Sequence, residues 1–162
     1  MKKIDKNKLV EKIKIQLEHD FEKLKAAALA TYEDATHEES KPENEYDTRG
    51  LEASYLAGAQ GKRLADIEEV YASIKFLNVK NFTANDPIEL SALVEVDLKG
   101  KRQFLLIAAK GGGVHVEFEG MSIQAIASSS PLGEALLGLK KDDIAVIDSG
   151  HREIEYDIIN VW

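Results

Sequence analysis

Apolar and polar positions along this chain follow two different periods, and the change falls roughly halfway. In the first half, Val10, Leu17, Leu24 and Thr31 stand seven apart, with Phe21, Ala28 and Ala35 interleaved. Farther on, Ala53, Ala57, Gln60, Leu64, Ile67, Tyr71 and Ile74 step alternately by four and three. Both series are the a/d stripe of a coiled-coil seam. Neither stripe is buried by its own helix, and a connection of about ten residues favours antiparallel packing of one on the other. Residues 1–78 are therefore predicted to form an antiparallel α-helical coiled-coil hairpin with its tip near 36–47. Alanines at the seam near the tip let the helices approach closely. Ser40, Pro42 and Glu43 supply a capping box and a first-turn proline for the second helix.

After about Val79 the period shortens. The runs "ELSALVEVDL", "RQFLLIAA", "GVHVEFEG" and "SIQAIA" are β-rich and are divided by "LKGK", "KGGG" and "EGM", as in a meander. Ser130 and Pro131 then open a short helix that Gly138 follows, and a last strand pair, "DDIAVIDSG" and "REIEYDIINVW", turns at "SGH". Residues 79–162 read as an α+β domain, an antiparallel sheet with one short helix.

Composition removes several kinds of chemistry. The chain has 162 residues, 44% apolar and 31% charged, within the range of globular proteins. No run approaches the roughly 20 apolar residues that cross a bilayer, and "MKKIDKNKLVEKIK" lacks the apolar core of a signal peptide, so a cytoplasmic protein without membrane contact is expected. With no cysteine, thiolate metal sites and cysteine nucleophiles are excluded. His19, His37, His115 and His151 lack the spacing that brings two imidazoles to one metal. A formal net charge of −8 opposes direct binding to a phosphate backbone, so any work near nucleic acid is expected through a protein partner. Gly111 to Gly113 precede no helix start or P-loop lysine and read as a turn.

The most unusual stretch is the break between the two helical runs, "EDATHEESKPENEYDTR". It gathers Glu33, Asp34, Glu38, Glu39, Glu43, Glu45 and Asp47, and Lys41 is the one cation before Arg49. Its plainest reading is a solvated loop.

The segment from Ile126 to Val161, "IASSSPLGEALLGLKKDDIAVIDSGHREIEYDIINV", resembles the C-terminal domain of the Gre transcript-cleavage factors of bacterial RNA polymerase. That pattern runs Ile-Ser, Ser-Pro, Ala-Leu-Leu-Gly, Gly-Asp, Glu-Tyr-x-Ile-x-x-Val. The resemblance implies an FKBP-like C-terminal domain that docks on the polymerase, with Ser130 and Pro131 near the contact. It also implies a monomeric accessory factor, not itself an enzyme, whose coiled coil enters the secondary channel. On that reading the tip carboxylates Glu38, Glu39, Glu43 and Glu45 help hold an Mg²⁺ shared with the polymerase, and Glu39 and Glu43 assist cleavage of backtracked RNA. Hard divalent cations take oxygen ligands, and two-metal phosphodiester cleavage needs one ion to activate water and another to stabilise the leaving oxygen.

At the tip this sequence departs from the family. Gre factors carry Gly-Asp-Leu-x-Glu-Asn-Ala-Glu-Tyr, whereas this chain reads "EESKPENEYDTRG", in which Glu43 to Tyr46 match with one residue missing. A channel regulator that does not stimulate cleavage is the alternative. A peptidyl-prolyl isomerase is disfavoured because the second half is poor in aromatic residues, and a coiled-coil scaffold would self-associate.

Overall fold

Strand and helix signals along the chain become, in order, α1 (Lys6–Thr36), α2 (Arg49–Lys75), β1 (Leu93–Leu98), β2 (Lys101–Ala108), β3 (His115–Phe118), β4 (Met121–Ala127), α3 (Pro131–Leu136), β5 (Ile144–Asp148) and β6 (Glu153–Val161). The computed structural model describes residues 4–36, 49–150 and 152–162. Two long helices followed by a six-stranded sheet with one short helix make the expected class, helical hairpin plus α+β domain.

The described residues fall into two compact units. One is Leu17–Glu69; the other combines the chain through Gln16 with Val70–Trp162. Within Leu17–Glu69 the heptad stripe is the covered face. On α1, Leu17 is buried, and Phe21, Leu24, Ala28 and Thr31 are half-buried. On α2, Ala57, Gln60, Leu64 and Ile67 are half-buried, while the other described residues from Leu56 to Glu69 are exposed. Ala35 and Ala53 lie outside the described side chains. Gln60 is the weak point of this stripe, because its amide oxygen is buried without a hydrogen-bond partner. Such a group costs about 1–3 kcal/mol relative to a satisfied one, so Gln60→Leu is expected to raise the urea midpoint of unfolding.

In the second unit the strands are ordered β3-β4-β2-β1-β6-β5. All neighbours are antiparallel except β2 and β4, which run parallel from Phe104 beside Ile123 to Ala108 beside Ala127. The expected antiparallel meander is thus corrected to a mixed sheet with β3 at one edge. The physical reason lies in burial. Strand β2 ends in four consecutive buried residues, and β4 carries buried Ile123, Ala125 and Ile126, the pattern of central strands covered on both faces. Strand β3 alternates, with exposed His115 and Glu117 around buried Val116, which suits an edge. The β1–β2 and β3–β4 hairpins each close on two residues at positive φ, Lys99 (53°) with Gly100 (86°) and Glu119 (49°) with Gly120 (81°). This is the type I′ geometry that matches the twist of paired strands.

One face of the sheet, with Val94, Val96, Leu105, Ile107, Ala145 and Ile158, forms a core with Ile88 and with Leu136 of α3. On the opposite face Leu93, Leu106 and Ile123 are also fully buried, as are Leu9 and Ile13 of α1 and Ile74 of α2. The start of α1 is tied to this side by Lys6, whose ammonium donates to the main-chain oxygens of Ser91 (2.8 Å) and Trp162 (2.7 Å). The same ammonium lies 4.5 Å from the centroid of the Phe82 ring.

Lys6 is 4% exposed, and its burial lowers the pKa from 10.5 to about 8. Between those two values the unfolded chain binds more protons at this site than the folded one, so the Lys6 contribution to stability rises with pH across that window. The stability of the wild-type chain minus that of Lys6→Met, from urea unfolding at a series of pH values, is expected to increase from about pH 8 to about pH 10.5. A flat difference would show that the ammonium is not desolvated.

Candidate functional site

The carboxylates singled out in the sequence, Glu38, Glu39, Glu43 and Glu45, lie within residues 37–48, outside the described residues. Their described neighbours Glu33 and Asp34 are exposed in the last turn of α1, which contains no basic residue. Acids there face the negative end of the helix dipole, a cost of a few tenths of a kcal/mol or more. As a donor set, the carboxylates of residues 38–45 offer the oxygen ligands that Mg²⁺ takes. Among the described residues no group of three or more histidine, aspartate or glutamate side chains is arranged to hold a metal ion.

Ser130 is the N-cap of α3. Its hydroxyl accepts from Gly133 N at 3.1 Å and donates to the Ala127 carbonyl at 2.7 Å. Pro131 occupies the first turn and is exposed. The Ser130 hydroxyl is thus engaged inside the chain, and Pro131 is the member of the pair that faces solvent. Gly133 allows α3 to sit hard against the end of β4: a Cβ there would lie 2.1 Å from the Ala127 carbonyl oxygen. At the other end of α3 the chain turns through Gly138 (φ 81°), whose N–H donates to the Ile88 carbonyl at 2.9 Å.

Beside that end of α3 lies a feature that the sequence pattern did not bring out. A cavity of about 860 Å³ is lined by Phe76, Leu77, Pro87, Leu90 and Leu137, among others. Phe76 is 78% exposed, and Leu90 and Leu137 are also exposed. A Lys80–Glu89 ion pair at 2.7 Å stands at its rim. The signal was present in "IKFLNVK", where Phe76 follows the final seam residue Ile74 and falls off the heptad stripe.

No protein-family model matches this chain, and no curated protein matches it either. Among solved structures it is similar to the crystal structure of GreA factor homolog 1 (Gfh1) of Thermus thermophilus, at 20% identity over 92% of this chain and 94% of that one, with a TM-score of 0.37. It is also similar to the crystal structure of Thermus aquaticus Gfh1, at 23% identity over 93% of this chain and 92% of that one, again with a TM-score of 0.37.

Proposed function

We propose that this chain is a Gre-like transcription elongation factor that binds RNA polymerase, enters its secondary channel with the α1–α2 hairpin and helps the polymerase cleave backtracked RNA. The observation that carries the reading is the coincidence, in one chain, of two long helices with a shared heptad stripe, a connection dense in carboxylates, and an α+β domain built from the Gre-resembling segment. At 1.5 Å per residue, helices of 31 and 27 residues are about 46 Å and 40 Å long, enough to reach deep into a narrow channel. The acidic segment joins the end of α1 to the start of α2, and such an entry would bring its carboxylates in first.

Glu38 and Glu39 before Pro42, and Glu43 and Glu45 after it, would hold Mg²⁺ from the two sides of the connection. When bound, the ion would supply charge stabilisation for phosphodiester hydrolysis, with polymerase carboxylates completing its shell. The isolated protein should bind Mg²⁺ weakly, because the ion sheds water reluctantly and a few protein carboxylates seldom suffice. Catalysis belongs to the polymerase, and nucleic acid is met only through it. Halted, backtracked complexes incubated with Mg²⁺ and this protein test the reading: shortened transcripts are the expected result. Inhibition without shortening would favour a channel regulator, a second reading motivated by the absence of the family's Gly-Asp from "EESKPENEYDTRG".

Docking on the polymerase would use Pro131 at the start of α3 and the Phe76 cavity with Leu137 beyond its other end. Full burial of an aromatic side chain contributes about 1.5–3 kcal/mol. Phe76→Ser is therefore expected to weaken binding to core polymerase by roughly tenfold to a hundredfold, measured by fluorescence titration. Its unfolding midpoint should change little, since Phe76 is exposed in the free chain.

A further inference from the structure

The sheet ends on one side at β5, and that edge has no neighbour among the described residues. In the β5–β6 ladder Ser149 N donates to the Arg152 carbonyl, and the Asp143 carbonyl accepts from Ile158 N. Because backbone bonds alternate along an antiparallel strand, the odd-numbered residues of β5 bond to β6. The N–H and C=O groups of Ile144, Val146 and Asp148 then point away from the sheet. The same three residues also expose their side chains, Ile144 at 51% and Val146 at 45%. Protein edges are commonly blunted by lysine, proline or a bulge. Strand β5, "IAVID", contains no lysine or proline, and its register with β6 is unbroken.

The strand beside it defines what could bind there. Ile144 lies opposite Asp157, Val146 opposite Glu155 and Asp148 opposite Glu153. All three β6 carboxylates are exposed on the same face as Ile144 and Val146. On the far side of β6, Asp97 of β1 stands opposite Asp157, a like-charge pairing that weakens a sheet. Arg102 of β2 is already engaged by Glu95 and, at 3.9 Å, by Asp97.

We infer that β5 is a strand-addition site for an extended, basic segment of a partner protein in which lysine or arginine alternates with apolar residues. A strand added at the edge would lie about 4.8 Å from β5 and about 10 Å from β6. Basic side chains on the outer face would lay their aliphatic stems over Ile144 and Val146 and bring their charged ends to Glu155 and Asp157. The alternate apolar residues would turn to the face where Ala145 is buried and α3 packs on β5. A second copy of this chain is disfavoured, because it would bring the same acids, Asp142, Asp143 and Asp148 with Glu153, Glu155 and Asp157 behind them, to both sides of a β5–β5 seam. Such a site is a property of the sheet edge alone and does not depend on the polymerase reading.

The test uses the full chain and a fluorescent peptide of alternating lysine and valine. Saturable binding is expected in anisotropy titrations, together with slowed amide exchange at Ile144, Val146 and Asp148. Methylating the peptide nitrogens on its bonding edge should weaken binding by about tenfold or more. Val146→Pro should do the same while the fold persists, since an edge strand tolerates proline where the N–H faces solvent. Should that variant unfold, the N-methylated peptide still reports on strand pairing, because it leaves the protein unaltered. Absence of saturable binding overturns the inference, as does equal binding of the methylated peptide, which would mean charge alone. Sedimentation that shows the chain dimerising through β5 would overturn it in favour of a second copy.

Discussion

Alanine at both Glu39 and Glu43 is expected to reduce stimulated transcript cleavage to the rate of polymerase alone, while folding and polymerase affinity stay near wild type. The separation of effects follows from where the groups act. Neither substitution removes an apolar side chain, and loss of the Glu43 share in the capping box costs on the order of 1 kcal/mol or less, so the variant should unfold at only a slightly lower urea concentration. Removal of carboxylates that face a metal takes away its ligands at the moment charge develops, and single groups of that kind are commonly worth a hundredfold or more in rate. Gel electrophoresis of backtracked transcripts measures the first quantity, and fluorescence titration of core polymerase measures the second. Cleavage at the wild-type rate by the double variant would make these two carboxylates irrelevant to the metal. Loss of polymerase binding instead of cleavage would move their role from chemistry to docking.

The largest effect on the fold is expected from Gly133→Ala. A methyl group there meets backbone, the Ala127 carbonyl oxygen at 2.1 Å and the Ser128 carbonyl oxygen at 2.9 Å, so no side-chain rotation relieves it. Helix α3 must lift from the end of β4, and Leu136, which is fully buried in the core, must move with it. Overpacking of this kind typically costs 1–3 kcal/mol, at the upper end where the obstacle is main chain. Urea unfolding should show the lower midpoint, and polymerase affinity should fall with it because Pro131 and Leu137 are carried by the same short helix. An unchanged midpoint would mean that α3 is not seated as described.

Much of this architecture was legible because burial and periodicity agree. The seam residues Leu17, Phe21, Leu24, Ala28, Leu64 and Ile67 are the covered positions of the two long helices, and Ser130, Pro131 and Gly138 bracket α3 as their chemistry requires. Strand order was not legible from turn signals. The Lys99–Gly100 and Glu119–Gly120 turns identify hairpins, but nothing in a hairpin says which strand it will lie against. The signal for the parallel β2–β4 pair was the continuous apolar run "FLLIAA", which alternation treats as one more meander strand. Lys6 was equally hidden: it sits among solvated lysines in the sequence, and only the fold turns it onto two main-chain oxygens. The Phe76 cavity depends on residues from α2, the connection to β1 and α3, a convergence that local pattern does not encode. The acidic segment is the reverse case, conspicuous in sequence but outside the described residues.

Action of the carboxylates between α1 and α2 at the catalytic centre of RNA polymerase is the role proposed for them. It is tested most directly by placing a photo-crosslinker within residues 38–47, forming the complex with core polymerase and mapping the attachment. Cross-links to the polymerase catalytic loop and secondary channel are expected, and they should persist when a backtracked RNA is present, since the carboxylates act on it there. Attachment confined to the outer surface of the polymerase, or no cross-link when the α+β domain is bound, would contradict it.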